Sequence, residues 1–391
     1  MNRHLAGVRV LELGNFISGP YAGQLLAELG AEVIKVERPQ GGDPFRSFDG
    51  GQFSPQFCAY NRGKRSVTID INTPAGRDVL LKLVEGADVL LENFRPDVLN
   101  RLGLGWEVLQ QKNPRLIYCT ISGFGPDGPY ADRPAYDTVA QSMSGFFSQL
   151  LDPERPRIAG PAMADAISGL YAALGIAAAL AGRAKDGRGH RLDLAMVEAM
   201  AAFATEPFAG FFATGRAPGP YDRAAVSQSF ALRCADDGMI GLHLSSPKKF
   251  WESLLTAIER PDLGRDPRFS TRAGRVSNYP ALCDALGQVF IRHSRSEWEQ
   301  RMRQHDVPHA PIYSFPEVLE DQQIAHLGTF YTPNPARQGA SRAVHGPLWC
   351  DRRRDEPDLP PPALGEHTDQ QLRLIGLSDE KIAELRAAQA I

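Results

Sequence analysis

The 391-residue chain has 43% apolar and 23% charged residues, an ordinary globular composition that excludes a disordered chain, a coiled coil and a fibre. Its 43 Lys and Arg against 46 Asp and Glu leave a net charge of −3, too little positive charge for a protein that neutralises nucleic acid. The 37 Gly and 30 Pro follow no period, which excludes collagen, and the length calls for two domains rather than one core.

In chain order, residues 8–13 read as an apolar strand. The loop Gly14-Asn15-Phe16-Ile17-Ser18-Gly19-Pro20 follows, then a helix at 21–29 ended by Gly30, then a strand at 31–36. Strand, helix and strand in this order predict a parallel sheet covered by helices. The pattern repeats with a strand at 66–71, a helix from Thr73-Pro74 to Glu85, a strand at 87–94, a helix at 98–104 and a strand at 115–122. A long helix at 166–183, a strand at 190–196 and a helix at 197–204 complete it. Residues to about 210 therefore predict one doubly wound α/β domain.

Gly, Pro and small residues mark 213–225 as a linker. Beyond it, 230–244 reads as a hairpin around Asp236-Asp237-Gly238. Helices follow at 247–258 and 280–292, and the Ser294/Glu297 spacing of a capping box opens another. A strand at 310–314 and a helix at 316–327 complete a smaller α+β domain over 226–325. The Pro-rich stretch 355–365 predicts an extended crossing, over a neighbouring subunit or over its own domain, before two short terminal helices.

Cys58, Cys119, Cys234, Cys283 and Cys350 are odd in number and form no Cys-x-x-Cys, which fits a reducing cytoplasm. The N-terminus shows no signal region, and the longest apolar run, 170–181, is too short to cross a bilayer. No membrane association is expected.

Several motifs offer sites, each with a structural competitor. Gly123-Phe124-Gly125-Pro126-Asp127-Gly128 matches G-x-G-x-x-G after a strand. Pro126 and Pro129 flank its last glycine, so a tight loop outweighs a nicotinamide site. Glu37 ends the second strand where a dinucleotide enzyme keeps its ribose-binding acid, but the first loop lacks the accompanying glycines. Arg38 beside it reads first as a solvated arginine. His305 and His309 are four apart, but Pro308 opposes the helix that would aim both at a metal, so no metal site is expected. No Ser/His or Cys/His pairing stands out. Asp165 begins a long apolar helix. It is either an N-cap or a buried carboxylate, kept ionised by helix N–H groups that also suit an oxyanion, and able to attack an acyl group.

Six segments, in order, carry a resemblance: LAGVRVLELGNFISGPYAGQLLAELGAEVIKVERPQGGD, NRGKRSVTIDINTPAGRDVL, ADVLLENFRPDVLNRLGL, NPRLIYCTISGFGPDGPY, the Asp165 helix with GRGHRLDLAMVEA, and LGEHTDQQLRLIGLS. The chain resembles the class III CoA-transferases (formyl-CoA transferase and carnitine CoA-transferase), whose sister branch is α-methylacyl-CoA racemase. The resemblance implies a large Rossmann-like domain from residues 1–212 and 326–391, a small domain, and an interlocked homodimer threaded by the linker and the Pro-rich crossing. It implies that CoA moves from an acyl-CoA to an acceptor carboxylic acid through an aspartyl anhydride and an aspartyl-CoA thioester on Asp165. Coenzyme A is then a substrate, with no permanently bound cofactor. The implied CoA contacts are Ile17, Ser18, Arg38, Ile69, Asn72, Asn93, Phe94, Arg101, Ala135 and Tyr136, with Arg38 and Arg101 pairing with phosphates. The region around LHLSSPKKF lacks the run of four glycines of formyl-CoA transferase, which argues for a differently shaped, larger acyl group. Racemase activity is the alternative, but Tyr136 stands where that branch has a histidine base; a nicotinamide dehydrogenase is the remaining one.

Overall fold

Neighbouring residues on each N-terminal strand are both apolar because both faces of the sheet are covered. The structure is a computed structural model describing residues 4–49, 51–152, 154–245, 248–334, 342–354 and 359–391. It divides into two compact units, one of Met1–Phe147, Ile158–Phe208 and Gly328–Ile391, the other of Ser148–Arg157 and Ala209–Leu327.

The first unit holds strands β1 (Arg9–Glu12), β2 (Glu32–Glu37), β3 (Lys64–Thr68), β4 (Val89–Glu92), β5 (Ile117–Ser122) and β6 (Arg191–Ala195). They form one parallel sheet in the order β3-β2-β1-β4-β5-β6. Its helices are α1 (Ser18–Glu28), α2 (Pro55–Asn61), α3 (Pro74–Glu85), α4 (Val98–Arg101), α5 (Trp106–Lys112), α6 (Asp137–Met143), α7 (Met163–Asp186) and α8 (Met196–Phe203). Val10, Val33, Leu91 and Ile117 pack with Leu26 of α1, Ile176 of α7 and Met200 of α8. Leu11, Ile34, Val67 and Leu90 turn to the other face, against Leu80 of α3 and Leu109 of α5. The alternation follows from the two-residue period of a strand.

α7 runs 24 residues, beyond both ends of the apolar stretch read from sequence, and is long and apolar enough by length and composition to cross a membrane. One face is buried, through Ala164, Ile167, Ala172 and Ile176, while Leu170 and Leu174 are exposed. At Gly169 α7 meets α1: a Cβ there would lie 2.9 Å from the Ser18 carbonyl oxygen.

The second unit includes α10 (Asp222–Ser227) and α11 (Lys249–Ala257), preceded by α9 (Thr205–Thr214), inside which the unit begins. Strands β7 (Ser229–Arg233), β8 (Met239–His243) and β9 (His309–Pro311) form an antiparallel sheet. With α12 (Arg272–Ser277), α13 (Tyr279–Phe290) and α14 (Arg295–Gln304) it encloses Trp251, Phe269, Phe290 and Trp298. Ser294 and Glu297 make the capping box of α14. The helix expected at 316–327 is two, α15 (Phe315–Glu320) and α16 (Gln322–His326), because Asp321 caps the second through the Ile324 N–H at 2.9 Å. Helices α9 and α10 reach into both ends of the stretch 213–225 that reads as a linker.

The chain then returns to the first unit. A two-stranded ladder, β10 (Phe330–Tyr331) and β11 (Ala343–Val344), precedes α17 (Thr368–Leu374) and α18 (Asp379–Ala387). Leu372, Ile382, Leu385 and Ile391 belong to the same core as Leu11 and Leu90. Residues 355–358 of the Pro-rich crossing lie outside the described residues. The rest lies on its own unit: Gly63 N–H donates to the Leu359 carbonyl at 2.9 Å, and Arg46 to that of Pro362 at 3.0 Å. Truncation after Leu377 removes Ile382, Leu385 and Ile391 and is expected to cost about 4.5–9 kcal/mol, three aliphatic side chains at about 1.5–3 kcal/mol each. Urea unfolding of the full and shortened chains measures this.

Candidate active site at the carboxyl edge of the sheet

Six charged side chains lie beneath the loops that follow β1 and β2. Glu12, Lys35, Glu37, Asp43, Arg46 and Lys64 are each at most 5% exposed. Lys35 Nζ lies 2.9 Å from both Glu12 and Asp43, Lys64 Nζ 2.6 Å from Glu12, and Arg46 2.7 Å from Glu37. Three cations offset three carboxylates, as burial of charge requires. Burial opposes the Lys35 charge, but Asp43 and Glu12 outweigh it and hold the ammonium above its usual range. Burial would raise Glu37, yet Arg46 keeps it below its ordinary value. For Lys64 burial prevails over Glu12 and brings the ammonium down to about 8.

This cluster shapes the first loop. Lys35 donates to the Gly14 carbonyl and Lys64 to that of Pro20, both at 2.7 Å. Asp43 Oδ1 accepts the N–H groups of Phe16 at 3.3 Å and Phe45 at 2.9 Å. Phe16 is held at φ +63°, in the left-handed region, and packs edge-on against Phe45 and Tyr136 at centroid distances of 5.2 and 6.0 Å. The loop meets the end of β4, the strand beside β1. Asn93 Oδ1 accepts the Asn15 N–H at 2.9 Å, and Asn93 Nδ2 donates to the Asn15 carbonyl at 2.8 Å and to Ser18 Oγ at 3.0 Å. Here strand order reverses, where open α/β sheets form their ligand crevice.

Asp165 is the third residue of α7, and Ala162 is the N-cap. The sequence expectation of a carboxylate kept ionised by helix N–H groups is corrected here. Asp137, opening α6, takes the Ala164 N–H at 2.7 Å and the Asp165 N–H at 3.3 Å on its Oδ1, while Oδ2 accepts from Gln141 at 2.6 Å. Those donors are thus engaged. Burial and then the Asp137 charge push Asp165 up to about 7. Tyr60 of α2 is raised by burial and next by the charge of Asp165, which puts its hydroxyl in the same electrostatic neighbourhood. Sequence reading missed Tyr60 and Asp43, because α2 is a seven-residue helix too short to show a period and Asp43 precedes only a 3₁₀ turn.

The other expected contacts scatter along the same edge. Ile17 and Ser18 begin α1, and Ser18 is buried. Arg38 is exposed after β2, its Nε donating to the Gly42 carbonyl at 3.2 Å. Asn72 is exposed after β3 and bonds to Asp70. Ile69 is 2% exposed, with its side chain in the core. Phe94 is half-buried after β4, and Arg101 is exposed at the last turn of α4. Tyr136 is 65% exposed. Ala135 lies against Gly123, where a Cβ would come within 2.1 Å of its methyl, so that glycine serves close packing. The first helix after Gly128 is α6, at Asp137, so the G-x-G-x-x-G stretch does not open a helix as a dinucleotide fingerprint does. His305 ends α14 and His309 opens β9.

Glu92 is a further group sequence reading did not single out. Burial raises it to about 7, and it accepts from the Tyr118 hydroxyl at 3.0 Å and the Phe94 N–H at 2.6 Å.

Replacing Lys35 by Met leaves Glu12 and Asp43 without their shared cation. A loss of about 3–5 kcal/mol in folding stability is expected; denaturant midpoints compared with wild type test it.

The sequence profile described as CoA-transferase family III matches residues 5–368. Succinate–glutarate CoA-transferase of Agrobacterium fabrum is 34% identical, over 94% of this chain and 94% of its own. Formyl-CoA:oxalate CoA-transferase of Bradyrhizobium diazoefficiens is 32% identical, over 100% of this chain and 98% of its own. The crystal structure of a CaiB/BaiF family protein from Brucella suis aligns with a TM-score of 0.85 at 32% identity, covering 96% of this chain and 100% of that one. This chain belongs to CoA-transferase family III.

Proposed function

We propose that the enzyme transfers CoA between two carboxylic acids with Asp165 as nucleophile. The observation that carries this reading is the half-buried Asp165 carboxyl, poised near 7, on the sheet edge that also presents Arg38, Asn93 and Tyr136. An Asp165 oxygen attacks the acyl-CoA carbonyl, the C–S bond breaks, and CoA leaves as thiolate with a mixed anhydride on Asp165. The thiolate attacks the aspartyl carbonyl, releases the donor acid and leaves an aspartyl-CoA thioester. The acceptor carboxylate attacks that thioester and expels CoA, which then attacks the acceptor's acyl carbon and frees Asp165. Each step conserves the activated acyl bond as long as water is excluded.

In this reading the CoA lies along Ile17, Ser18, Arg38, Ile69, Asn72, Asn93, Phe94, Arg101, Ala135 and Tyr136, with Arg38 and Arg101 on phosphates. Ile69 contributes backbone only, since its side chain is in the core. No cofactor is bound permanently. The working form is an interlocked homodimer in the cytoplasm. An acyl group larger than formyl suits the chain, which lacks the glycine run expected for formyl or oxalate.

Hydroxylamine added during turnover should yield an Asp165 hydroxamate by mass spectrometry; a productive donor without the adduct refutes the mechanism. Asp165→Ala should abolish transfer while CoA still binds. Deuterium wash-in at the substrate α-carbon by the wild type would favour racemisation instead.

The raised carboxyl also sets a pH dependence. The nucleophile must be ionised, so kcat/KM of the acylation half-reaction should rise with pH through about 7. Asp137→Asn, which removes the neighbouring charge, should shift that limb to lower pH. For stability the sign is opposite. The folded state holds the proton more tightly than the unfolded one, so this group costs stability as pH rises from the ordinary 3.8 through about 7. Asp165→Asn is therefore expected to raise stability most above pH 7, read from thermal midpoints across pH.

A further inference from the structure

Two Ser-containing dipeptide spacings face each other at the open end of the β7–β8 hairpin. Ser229 begins β7 and pairs across the ladder with His243, which ends β8. Ser245 follows His243 by two residues, and Ser227, the last residue of α10, is turned toward Ser229 by the left-handed Gln228 at φ +50°. The side chains form a relay: Ser227 Oγ to Ser229 Oγ at 2.7 Å, Ser229 Oγ to His243 Nδ1 at 3.0 Å, and His243 Nε2 to Ser245 Oγ.

The distances decide the direction of the protons. Ser227 Oγ lies 2.9 Å from the Arg223 carbonyl, which can only accept. If Ser227 donates there, Ser229 donates to Ser227, Nδ1–H donates to Ser229, and Nε2 keeps its lone pair for the Ser245 hydroxyl. The reverse order forfeits the Arg223 bond and offers the Ser245 proton, within the protein, the Ser227 carbonyl at 3.5 Å. The first order makes four good bonds, so the imidazole carries its proton on Nδ1 and faces Ser245 as a base. Nucleophile, base and orienting group stand in the arrangement of an activated serine, with a hydroxyl as the third member. Ser245 and His243 are exposed, Ser229 half-buried and Ser227 buried.

We propose that Ser245 is a self-acylation site with His243 as its general base, accepting acyl groups from activated esters and thioesters. Ser245 Oγ bonds to the carbonyl carbon, and the bond from that carbon to the leaving oxygen or sulfur breaks with its electron pair. The Oγ proton passes to Nε2, and Nδ1–H remains on Ser229. The step uses neither Asp165 nor any of the CoA contacts of the transfer reading, although Ser245 lies in the LHLSSPKKF segment.

The test uses p-nitrophenyl acetate, which carries no CoA, on the Asp165→Ala chain, so that no aspartyl adduct competes. Peptide mapping should find one acetyl group on Ser245, absent in the Ser245→Ala double variant. His243→Gln should slow labelling at least about tenfold, a small part of what general bases contribute. Ser229→Ala keeps both reacting groups and should slow it several-fold, with an unchanged thermal midpoint. Acetyl groups elsewhere but not on Ser245, or labelling of His243→Gln at the parent rate, overturn the proposal.

Discussion

The neutrality of one buried ionic cluster governs the candidate ligand edge of this protein. Glu12, Lys35, Glu37, Asp43, Arg46 and Lys64 come from three adjacent strands and the loop after β2, and the core withholds water from all of them. An unmatched charge there would cost several kcal/mol, so the six are arranged only as mutually compensating pairs. The consequences spread outward. Helix α1 passes so close over Glu12 that a Cβ at Gly23 would come within 2.0 Å of its Oε2. The two lysines draw down the carbonyls at both ends of the first loop, and Asp43 holds the Phe16 backbone in a conformation non-glycine residues rarely adopt. With the loop thus held, Asn93 can close the gap between β1 and β4.

The candidate nucleophile follows the opposite rule. Asp165 and Asp137 face each other with no basic group among the causes that set the Asp165 pKa. Asp137 also occupies the backbone donors that would otherwise favour a negative Asp165. One region neutralises every charge; the neighbouring one leaves two like charges together and keeps a carboxyl near its switching point. Perturbed titration of this kind concentrates at functional sites, where local rules of stability give way.

The strands and long helices were legible because their patterns are strong. A continuous apolar run marked β1, helical spacing marked α1, Thr73-Pro74 marked the start of α3, a long apolar stretch marked α7, and the Ser294/Glu297 pair marked α14. Short elements were not. α2 and α6 span seven residues each, too few to show a period, yet they carry Tyr60 and Asp137. The Asp321 cap that divides the 316–327 helix resembles any other polar residue in a sequence. The hydroxyl–imidazole relay was invisible because its two halves are brought opposite each other only by hairpin register.

The sequence by itself determined the α/β class and pointed to the carboxyl edge of the sheet as the candidate place for ligands and to Asp165 as the carboxylate to examine, since periodicity, loop position and family resemblance are local or collinear properties. Only the tertiary structure decided that the Asp165 helix N–H groups belong to Asp137 and that Ile69 points into the core. Burial, pairing of charge and competition for a hydrogen-bond donor depend on residues far apart in the chain, and no window along a sequence contains them.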